Sequence, residues 1–223
     1  MDSDTLERAH LARCPRHPCF FQLFYDSLAI SAWKQAGLSQ WALRCNPSSG
    51  NLHPTEAYAL VGPITGLTAR PALLHYASSD HAMEVRRWIA PSAFDDLCRQ
   101  LPSGALVIGL SSILWREAWK YGERAFRYCM HDVGHAMQSI AIAARMIGWR
   151  VRRIEGLTAD QLNRLLALEG SAGPEAEGAD VLLAIEPRPT AADGPIRLTL
   201  PGKALTGLCS FPAVQKSCRS IAS

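Results

Sequence analysis

The residues with the clearest potential for binding lie in one loop, Pro47-Ser-Ser-Gly-Asn-Leu-His-Pro54, the serine loop. Prolines at both ends restrict the backbone, and Ser48, Ser49 and Asn51 supply short donors and acceptors around a glycine that allows close approach. These residue types, in this order, are typical of a loop that cradles a flat polar ligand.

Two histidines four residues apart form a second candidate, His131-Asp-Val-Gly-His135. On a helix they would share one face, as in zinc proteases that carry His-Glu-x-x-His. That pattern has a glutamate base where this chain has the shorter Asp132, and nothing completes a zinc site around Cys14 and Cys19. We therefore predict no metal, and interpret the segment as a helix whose polar face contacts a ligand or a neighbouring helix. A metal-dependent hydrolase using both histidines is kept as an alternative.

Other common catalytic patterns are missing from the sequence. It contains no G-x-G-x-x-G, no G-x-x-x-x-G-K-[ST] and no G-x-S-x-G, so a Rossmann site, a P-loop and a serine hydrolase elbow are unsupported. Arg124 and Arg127 lie three residues apart, and on a helix they could clamp an anion or form salt bridges to acids such as Glu117, Glu123 or Asp132. Cys45 follows Arg44, which suits a reactive thiol, although a buried cysteine is the more common state.

The composition is that of an ordinary globular domain. The chain has 223 residues, of which 48% are hydrophobic and 19% charged, with a formal net charge of +3. This charge is too small to indicate a nucleic acid partner, and the sequence shows neither a secretory signal nor a membrane span. We expect a cytoplasmic protein whose seven cysteines are reduced.

Periodicity predicts a mixture of helices and strands. Apolar residues at helical spacing predict a helix over 20–36 that ends at Gly37, and a long helix within 115–147. Ser92 with Asp95, and Thr158 with Gln161, have the spacing of capping boxes that would open two further helices. The predicted strands are 58–62, 73–77, 105–110, 149–154 and 180–186. The hairpin-like stretches argue against a purely parallel sheet.

Three segments resemble one known family. The serine loop resembles the P-S-S-x-N-x-Q-P loop of the FMN-dependent nitroreductases, and most closely that of their SagB-type, azoline-oxidase-like dehydrogenase branch. Residues 121–138 are similar to that branch's Y-G-x-R-x-x-R…G-H-x-x-Q helix. Ile154-Glu-Gly-Leu157 matches the family's E-G turn.

The resemblance implies an α+β fold, with a central, mostly antiparallel or mixed sheet flanked by helices. It also implies an intertwined homodimer with flavin at the subunit interface. The expected flavin-binding domain covers residues 20–207, after an irregular segment over 1–19 and before a divergent tail over 208–223.

The resemblance also implies the site residues. Those expected to bind the cofactor are Arg44, Pro47, Ser48, Ser49, Asn51, Glu155, Gly156 and Lys203, with the backbone at the E-G turn facing flavin N5 and the lysine on the phosphate. Candidates on the substrate side are His53, Arg124, His135 and Gln138. The flavin performs the chemistry, so no catalytic acid or nucleophile is required from the protein.

The function expected from this resemblance is an FMN-dependent oxidoreductase. It would pass electron pairs between NAD(P)H and a small organic acceptor, or dehydrogenate a small-molecule substrate. The alternative is a degenerate or truncated member acting as a flavin-binding or scaffold module. This alternative is suggested by the absence of the family's N-terminal R-R-S-x-R-like segment and of a second cation just after Lys203.

Overall fold

The computed structural model describes residues 17–187 and 191–213. Cys14 and most of the predicted segment 1–19 lie outside the described residues, as does the end of the predicted tail 208–223. The helices are α1 His17–Leu28, α2 Pro91–Cys98, α3 Trp115–Tyr121, α4 Ala125–Met146, α5 Ala159–Leu165 and α6 Gly202–Leu208. The strands are β1 Ile30–Ala36, β2 Ser39–Arg44, β3 Thr55–Val61, β4 Ala72–Ala77, β5 Ala82–Trp88, β6 Leu106–Ile113, β7 Arg150–Glu155, β8 Glu177–Glu186 and β9 Ile196–Arg197.

Seven strands form one sheet in the order β5-β4-β3-β6-β8-β7-β9. Neighbouring strands are antiparallel except β7 and β9, which are parallel. Strands β1 and β2 form a separate hairpin. The prediction of an α+β fold with a mostly antiparallel, mixed sheet is confirmed.

Helices cover both faces of the sheet. On one face, Phe20 and Phe24 of α1 and Val133 and Ile140 of α4 belong to the same core as Ala59 of β3. On the other face, α2, α5 and α6 contribute to a second core with the same strands. Strand β3 is buried along its whole length, so the serine loop that precedes it starts from a rigid element.

The predicted helix over 20–36 is wrong in its second half. Helix α1 ends at Leu28, and residues 30–36 form β1 instead. Apolar spacing suggested a helix as far as Ala32, but residues 31–41 are exposed, so no core is available to hold a helical face. Gly37, with a φ of 60°, opens a two-residue hairpin turn, where a positive φ is favoured.

The long helix predicted within 115–147 is interrupted. Gly122 has φ 56° and ψ −130°, a conformation that suits glycine, and a 3-10 turn over Gly122–Arg124 separates α3 from α4. Helix α4 then runs unbroken for 22 residues to Met146.

One of the two predicted capping boxes forms. Thr158 Oγ1 accepts from the Gln161 backbone N–H at 3.3 Å, and Gln161 Oε1 accepts from the Thr158 N–H at 2.9 Å. The Ser92 box is wrong, because α2 begins at Pro91 and its N-cap is Ala90, which has no side-chain cap.

Helix α6 and strand β9 were not predicted, since they are too short to show a period.

Several large apolar side chains are exposed on α4. Phe126 and Met146 are 64% and 72% exposed, and Met130 and Ile142 are also exposed. None of the helices in the described ranges has the length and apolar character needed to cross a bilayer. These four side chains are therefore apolar groups of α4 that the rest of the chain leaves uncovered.

Gly109 of β6 provides a test of the packing of α5 on the sheet. A methyl group on Gly109 would lie 2.4 Å from Leu166 Cδ2, so we expect Gly109→Ala to lower the free energy of unfolding by about 1–3 kcal/mol. Gly178→Ala in β8 is the control, because nothing lies within 4 Å of the added carbon. Urea denaturation of both variants measures the difference, and equal stabilities would contradict this packing.

Candidate functional site

The serine loop has an unusual backbone. A 3-10 turn spans Ser49–Asn51, and Gly50, Asn51 and His53 have φ angles of 62°, 61° and 50°. Left-handed conformations disfavour residues other than glycine by about 1–2 kcal/mol each. Such a loop persists only where its surroundings hold it, and strained segments of this kind cluster at binding sites.

Asp132 of α4 holds the start of the loop. Its carboxylate is fully buried and accepts from Ser48 Oγ at 2.6 Å, from Ser49 Oγ at 3.1 Å and from the Ser49 N–H at 3.0 and 3.2 Å. Hydrogen bonds to an ionised acceptor are about twice as strong as neutral ones. The two serine hydroxyls therefore donate their protons within the chain.

Asn51 and His53 hold the end of the loop. Asn51 Nδ2 donates to the Ala42 carbonyl at 2.8 Å, and its Oδ1 is 2.9 Å from His53 Nε2. The His53 N–H donates to Ser48 Oγ at 2.8 Å. Burial, with the nearby cations Arg44 and Arg116, lowers the pKa of His53 to about 4, so its imidazole is neutral at physiological pH.

A chain of hydrogen-bonded polar and charged groups continues from the loop across the sheet. Arg116 Nη1 donates to the His53 carbonyl at 3.0 Å and to Glu56 Oε1 at 2.6 Å. Glu56 Oε2 is 2.8 Å from His75 Nε2, and His75 Nδ1 is 3.1 Å from Glu84 Oε2. The chain crosses β3, β4 and β5 and ties the loop to the edge of the sheet.

Arg44 is used to support the loop. Its Nη1 donates to the Thr55 carbonyl at 3.1 Å, and burial lowers the pKa of its guanidinium, an effect that nearby Glu56 opposes. This position suits a structural role in closing the loop, and a direct contact with a cofactor stays a prediction.

Glu117 of α3 lies behind Asp132. It is fully buried, and neither of its carboxyl oxygens has a hydrogen-bond partner. Burial and the charge of Asp132 raise the pKa of Glu117 to about 7, against a smaller opposite effect of Lys120. Two carboxyl groups thus share the space under the serine loop.

The E-G turn follows β7. Gly156 has a φ of 99°, and an added methyl group would lie 2.6 Å from the Leu198 carbonyl oxygen, so only glycine fits. Glu155 forms an ion pair with Arg153, and its carbonyl accepts from the Leu198 N–H at 2.8 Å. Lys203 is exposed near the start of α6.

The E-G turn and the serine loop lie at the same end of the sheet. Thr55 begins β3 and Glu155 ends β7, and these strands are separated by β6 and β8 with alternating direction. Three strand spacings separate the strands that carry the two segments by roughly 14 Å within one chain.

The predicted substrate-side residues on α4 are exposed. Arg124 precedes the helix, His135 and Gln138 lie along it, and no ion pair joins Arg124 to an acid within the part of the chain described. His135 Nδ1 is 4.0 Å from Asp132 Oδ1. Nowhere in 17–187 and 191–213 do three His, Cys, Asp or Glu side chains come together as metal ligands.

The comparison with protein families decides the classification. A model of the nitroreductase family matches residues 34–179, well over half of the chain. The chain belongs to the nitroreductase family. The expected nitroreductase-like α+β fold is thereby confirmed, since the observed sheet and helices are those of its structural neighbours.

Solved structures similar to this nitroreductase-family chain share its fold at low identity. A protein from Anabaena variabilis ATCC 29413, assigned as a nitroreductase, has a TM-score of 0.66 at 21% identity, over 96% of this chain and 47% of its own. The Escherichia coli microcin synthetase McbBCD complex with truncated pro-MccB17 has a TM-score of 0.55 at 16% identity, over 78% and 63%. A protein from Ralstonia eutropha JMP134, also assigned as a nitroreductase, has a TM-score of 0.54 at 13%, over 78% and 74%.

The chain spans only part of these neighbours. It covers about half of the Anabaena structure and under two thirds of the microcin synthetase chain. No curated protein matches the sequence.

Two important residues of the site were missed by sequence reasoning. Asp132 was interpreted as a defective version of a metalloprotease base, and Glu117 only as a salt-bridge partner for arginine. The available signal was the aspartate itself, a short acid inside an otherwise apolar helical face next to Val133.

Gly50 tests how closely α3 approaches the loop. A methyl group there would lie 2.4 Å from Tyr121 Oη and 2.7 Å from Lys120 Nζ. Gly148 is a matched control, because its φ is also positive, at 76°, but nothing lies within 4 Å. Because Tyr121 Oη and Lys120 Nζ are the ends of flexible side chains that can move aside, we expect Gly50→Ala to lower the unfolding free energy by about 0.5–1 kcal/mol more than Gly148→Ala in parallel urea titrations. Equal losses would show that the loop is open on this side.

Proposed function

We propose that this protein is an FMN-dependent oxidoreductase that exchanges electron pairs between NAD(P)H and a small organic molecule. The observation that carries the proposal is the serine loop: a strained, internally locked backbone at the same end of the sheet as the E-G turn, in a chain of the nitroreductase family. Locking the loop in advance lowers the conformational entropy that a ligand must remove on binding.

The remaining donors suit a flat, electron-accepting group with a phosphate. Asn51 Nδ2 has two N–H groups and uses one on Ala42, which leaves one for a ligand. Lys120 Nζ lies next to Gly50 and can stabilise negative charge on a bound ring. Ser49 Oγ retains acceptor capacity, whereas Ser48 Oγ already donates and accepts inside the loop. Lys203 would hold the phosphate through a charge-assisted hydrogen bond.

When bound, the flavin would supply the hydride chemistry itself. The protein's part is to bind and orient it, through Asn51 and the backbone of the E-G turn, and to place positive charge near the ring through Lys120. His53, Arg124, His135 and Gln138 are the candidates for contacting the substrate. The neutral imidazole of His53 suits a hydrogen bond better than an ionic contact.

A homodimer is the proposed assembly. The exposed side chains of α4 form a pattern that is symmetric about Ala136: Phe126 and Met130 on one side mirror Met146 and Ile142 on the other. Two copies related by a two-fold axis could therefore cross antiparallel with each patch meeting its counterpart. Gly134 lies between the patches with open space beside it, so a second backbone could approach closely. A second copy would also bring its serine loop towards the E-G turn, whose strand lies three strand spacings away within one chain.

A charged side chain at the crossing should separate the subunits. Gly134→Glu enters open space and improves helix propensity, so the monomer should fold, but the charge would be buried in the dimer. Light scattering after gel filtration should show the mass falling from twice 24.4 kDa to 24.4 kDa. Ser92→Glu, exposed in the first turn of α2, is the control and should stay dimeric. A wild-type monomer, or a dimeric Gly134→Glu variant, would reject this interface.

A flavin-binding or scaffold module without enzymatic activity is the second candidate. It is favoured by the protons of both serine hydroxyls being committed to Asp132, and by Ala204 and Leu205 following Lys203 where a second cation was expected. Placement in the SagB-type branch is likewise a proposal, supported by the Tyr121–Gln138 sequence and by the fold shared with one chain of the microcin synthetase structure.

A titration with FMN separates the two functions. The protein is purified without added cofactor, titrated with FMN, and then mixed with NADPH in the absence of oxygen. Bound flavin that bleaches supports the oxidoreductase; bound flavin that stays oxidised with NADPH and NADH supports the module.

The same titration tests the residues. Lys203→Ala should weaken FMN binding about tenfold, because one charge-assisted phosphate contact is lost, and Asn51→Ala should also weaken it. Arg99→Ala removes an exposed cation just after α2 and should bind FMN as the wild type does. A wild-type protein that leaves FMN free in solution would reject the oxidoreductase and the flavin-binding module, and would support the scaffold.

A further inference from the structure

A protonated acid is required beneath the serine loop. Asp132 accepts hydrogen bonds from the hydroxyl of Ser48 and from the N–H and hydroxyl of Ser49, and it has no access to solvent. Glu117 is equally buried and lacks any hydrogen bond to either oxygen. A buried carboxylate without hydrogen bonds is strongly unfavourable, and a second negative charge near the first adds repulsion.

We propose that Glu117 is a positioning residue for the serine loop: it must hold a proton so that Asp132, as the only carboxylate under the loop, can keep Ser48 and Ser49 in place. Ionisation of Glu117 is expected to loosen the loop by opposing the Asp132 charge. Opening of the loop would let water reach both carboxyl groups. This role adds a pH dependence to the proposed flavin site. The opening of the loop itself can be measured without a bound flavin.

Two further titratable groups near the pair, within the part of the chain that the structure describes, supply no positive charge. From α4, Cys129 is buried and its pKa is raised to about 12 by burial and by the neighbouring acids, so it is a neutral thiol. From β8, Asp180 accepts from Ser112 Oγ of β6 at 2.7 Å, and its pKa is raised to about 6, chiefly by burial.

A lysine and a histidine approach the pair from the surface. Lys120 of α3 lowers the pKa of Glu117, and His135 of α4 lies 4.0 Å from Asp132 Oδ1 with half of its side chain exposed. Neither has a hydrogen bond to Glu117. The proton on Glu117 is therefore the local means of avoiding two buried negative charges.

The sign of the pH effect follows from the raised pKa of Glu117. With a pKa of about 7 in the closed loop and an ordinary value near 4.5 when the loop opens, the closed state binds more protons between these values. Stabilisation of the closed loop is complete below pH 4.5 and is lost as pH rises through 7. Two-state linkage then predicts that the opening constant rises about tenfold between pH 6 and pH 8.5.

Hydrogen–deuterium exchange of the peptide covering residues 45–55 measures this opening without any ligand. After correction for intrinsic exchange, protection in the wild type should fall about tenfold between pH 6 and pH 8.5. Glu117→Gln keeps the shape and removes the titration, so its loop protection should be independent of pH. Glu123→Gln, a neighbouring exposed acid on the 3-10 turn, is the control and should behave as the wild type.

Asp132→Asn tests the other half of the pair. It should lower loop protection at pH 6 by about tenfold, because charge-assisted bonds become neutral ones, while protection of peptides from β3 and β6 reports that the fold is intact. The proposal is overturned if wild-type protection is the same at both pH values, if Glu117→Gln retains the wild-type pH dependence, or if Asp132→Asn protects the loop as well as the wild type does. Failure of FMN to bind would reject the proposed function. The three exchange results would still test the role of Glu117, because they are measured without FMN.

Discussion

The carboxylate of Asp132 is the interaction on which the site depends. It joins α4 to residues more than 80 positions earlier in the chain, and it does so in a buried environment where hydrogen bonds to a charge are strong. The loop contains three residues with positive φ, two of which are not glycine. Without an external anchor, the left-handed conformations of Asn51 and His53 would not be maintained. The unusual shape of the loop is thus a tertiary effect, produced by a helix side chain.

The sheet determines where this anchored loop is presented. β3 is buried on both faces, and the Ile113 N–H of β6 donates to the Pro54 carbonyl at 2.9 Å, so the end of the loop is continuous with the rigid centre of the domain. The charged chain from Arg116 through Glu56 and His75 extends that support to β4. Removing one partner from such a chain would leave a buried charge unpaired, which is why these groups add rigidity more than net stability. The serine loop and the E-G turn are consequently two rigidly held segments at the same end of the sheet.

Sequence reasoning predicted the parts of the fold that depend on local signals. Continuous apolar strands such as 105–110, and the Thr158 capping box, were recognisable because strand burial and capping act over a few residues. The hairpin after α1 was not, because Phe21, Phe24, Leu28 and Ala32 fit helical spacing equally well and only the lack of a covering core at residues 31–41 decides against a helix. The role of Asp132 was not predicted, because an acid on an apolar helical face indicates a buried partner but does not identify the distant segment that supplies it.

This difference changes what the serine motif means. The resemblance assigned Ser48 and Ser49 to a ligand, yet here their protons are donated to Asp132 and the Ser48 oxygen also accepts from the His53 N–H. In this chain the two serines therefore encode the shape of the loop, and Asn51, with one N–H left over, is the residue of the motif with an unused donor. Because different residues provide the shape of the loop and its ligand contacts, the loop can keep its shape and still lose the ability to bind a ligand. For this physical reason, the same motif is compatible with an active flavoenzyme and with a non-catalytic module. The residues that distinguish these two functions are Asn51, Lys120 and Lys203, and not the serines.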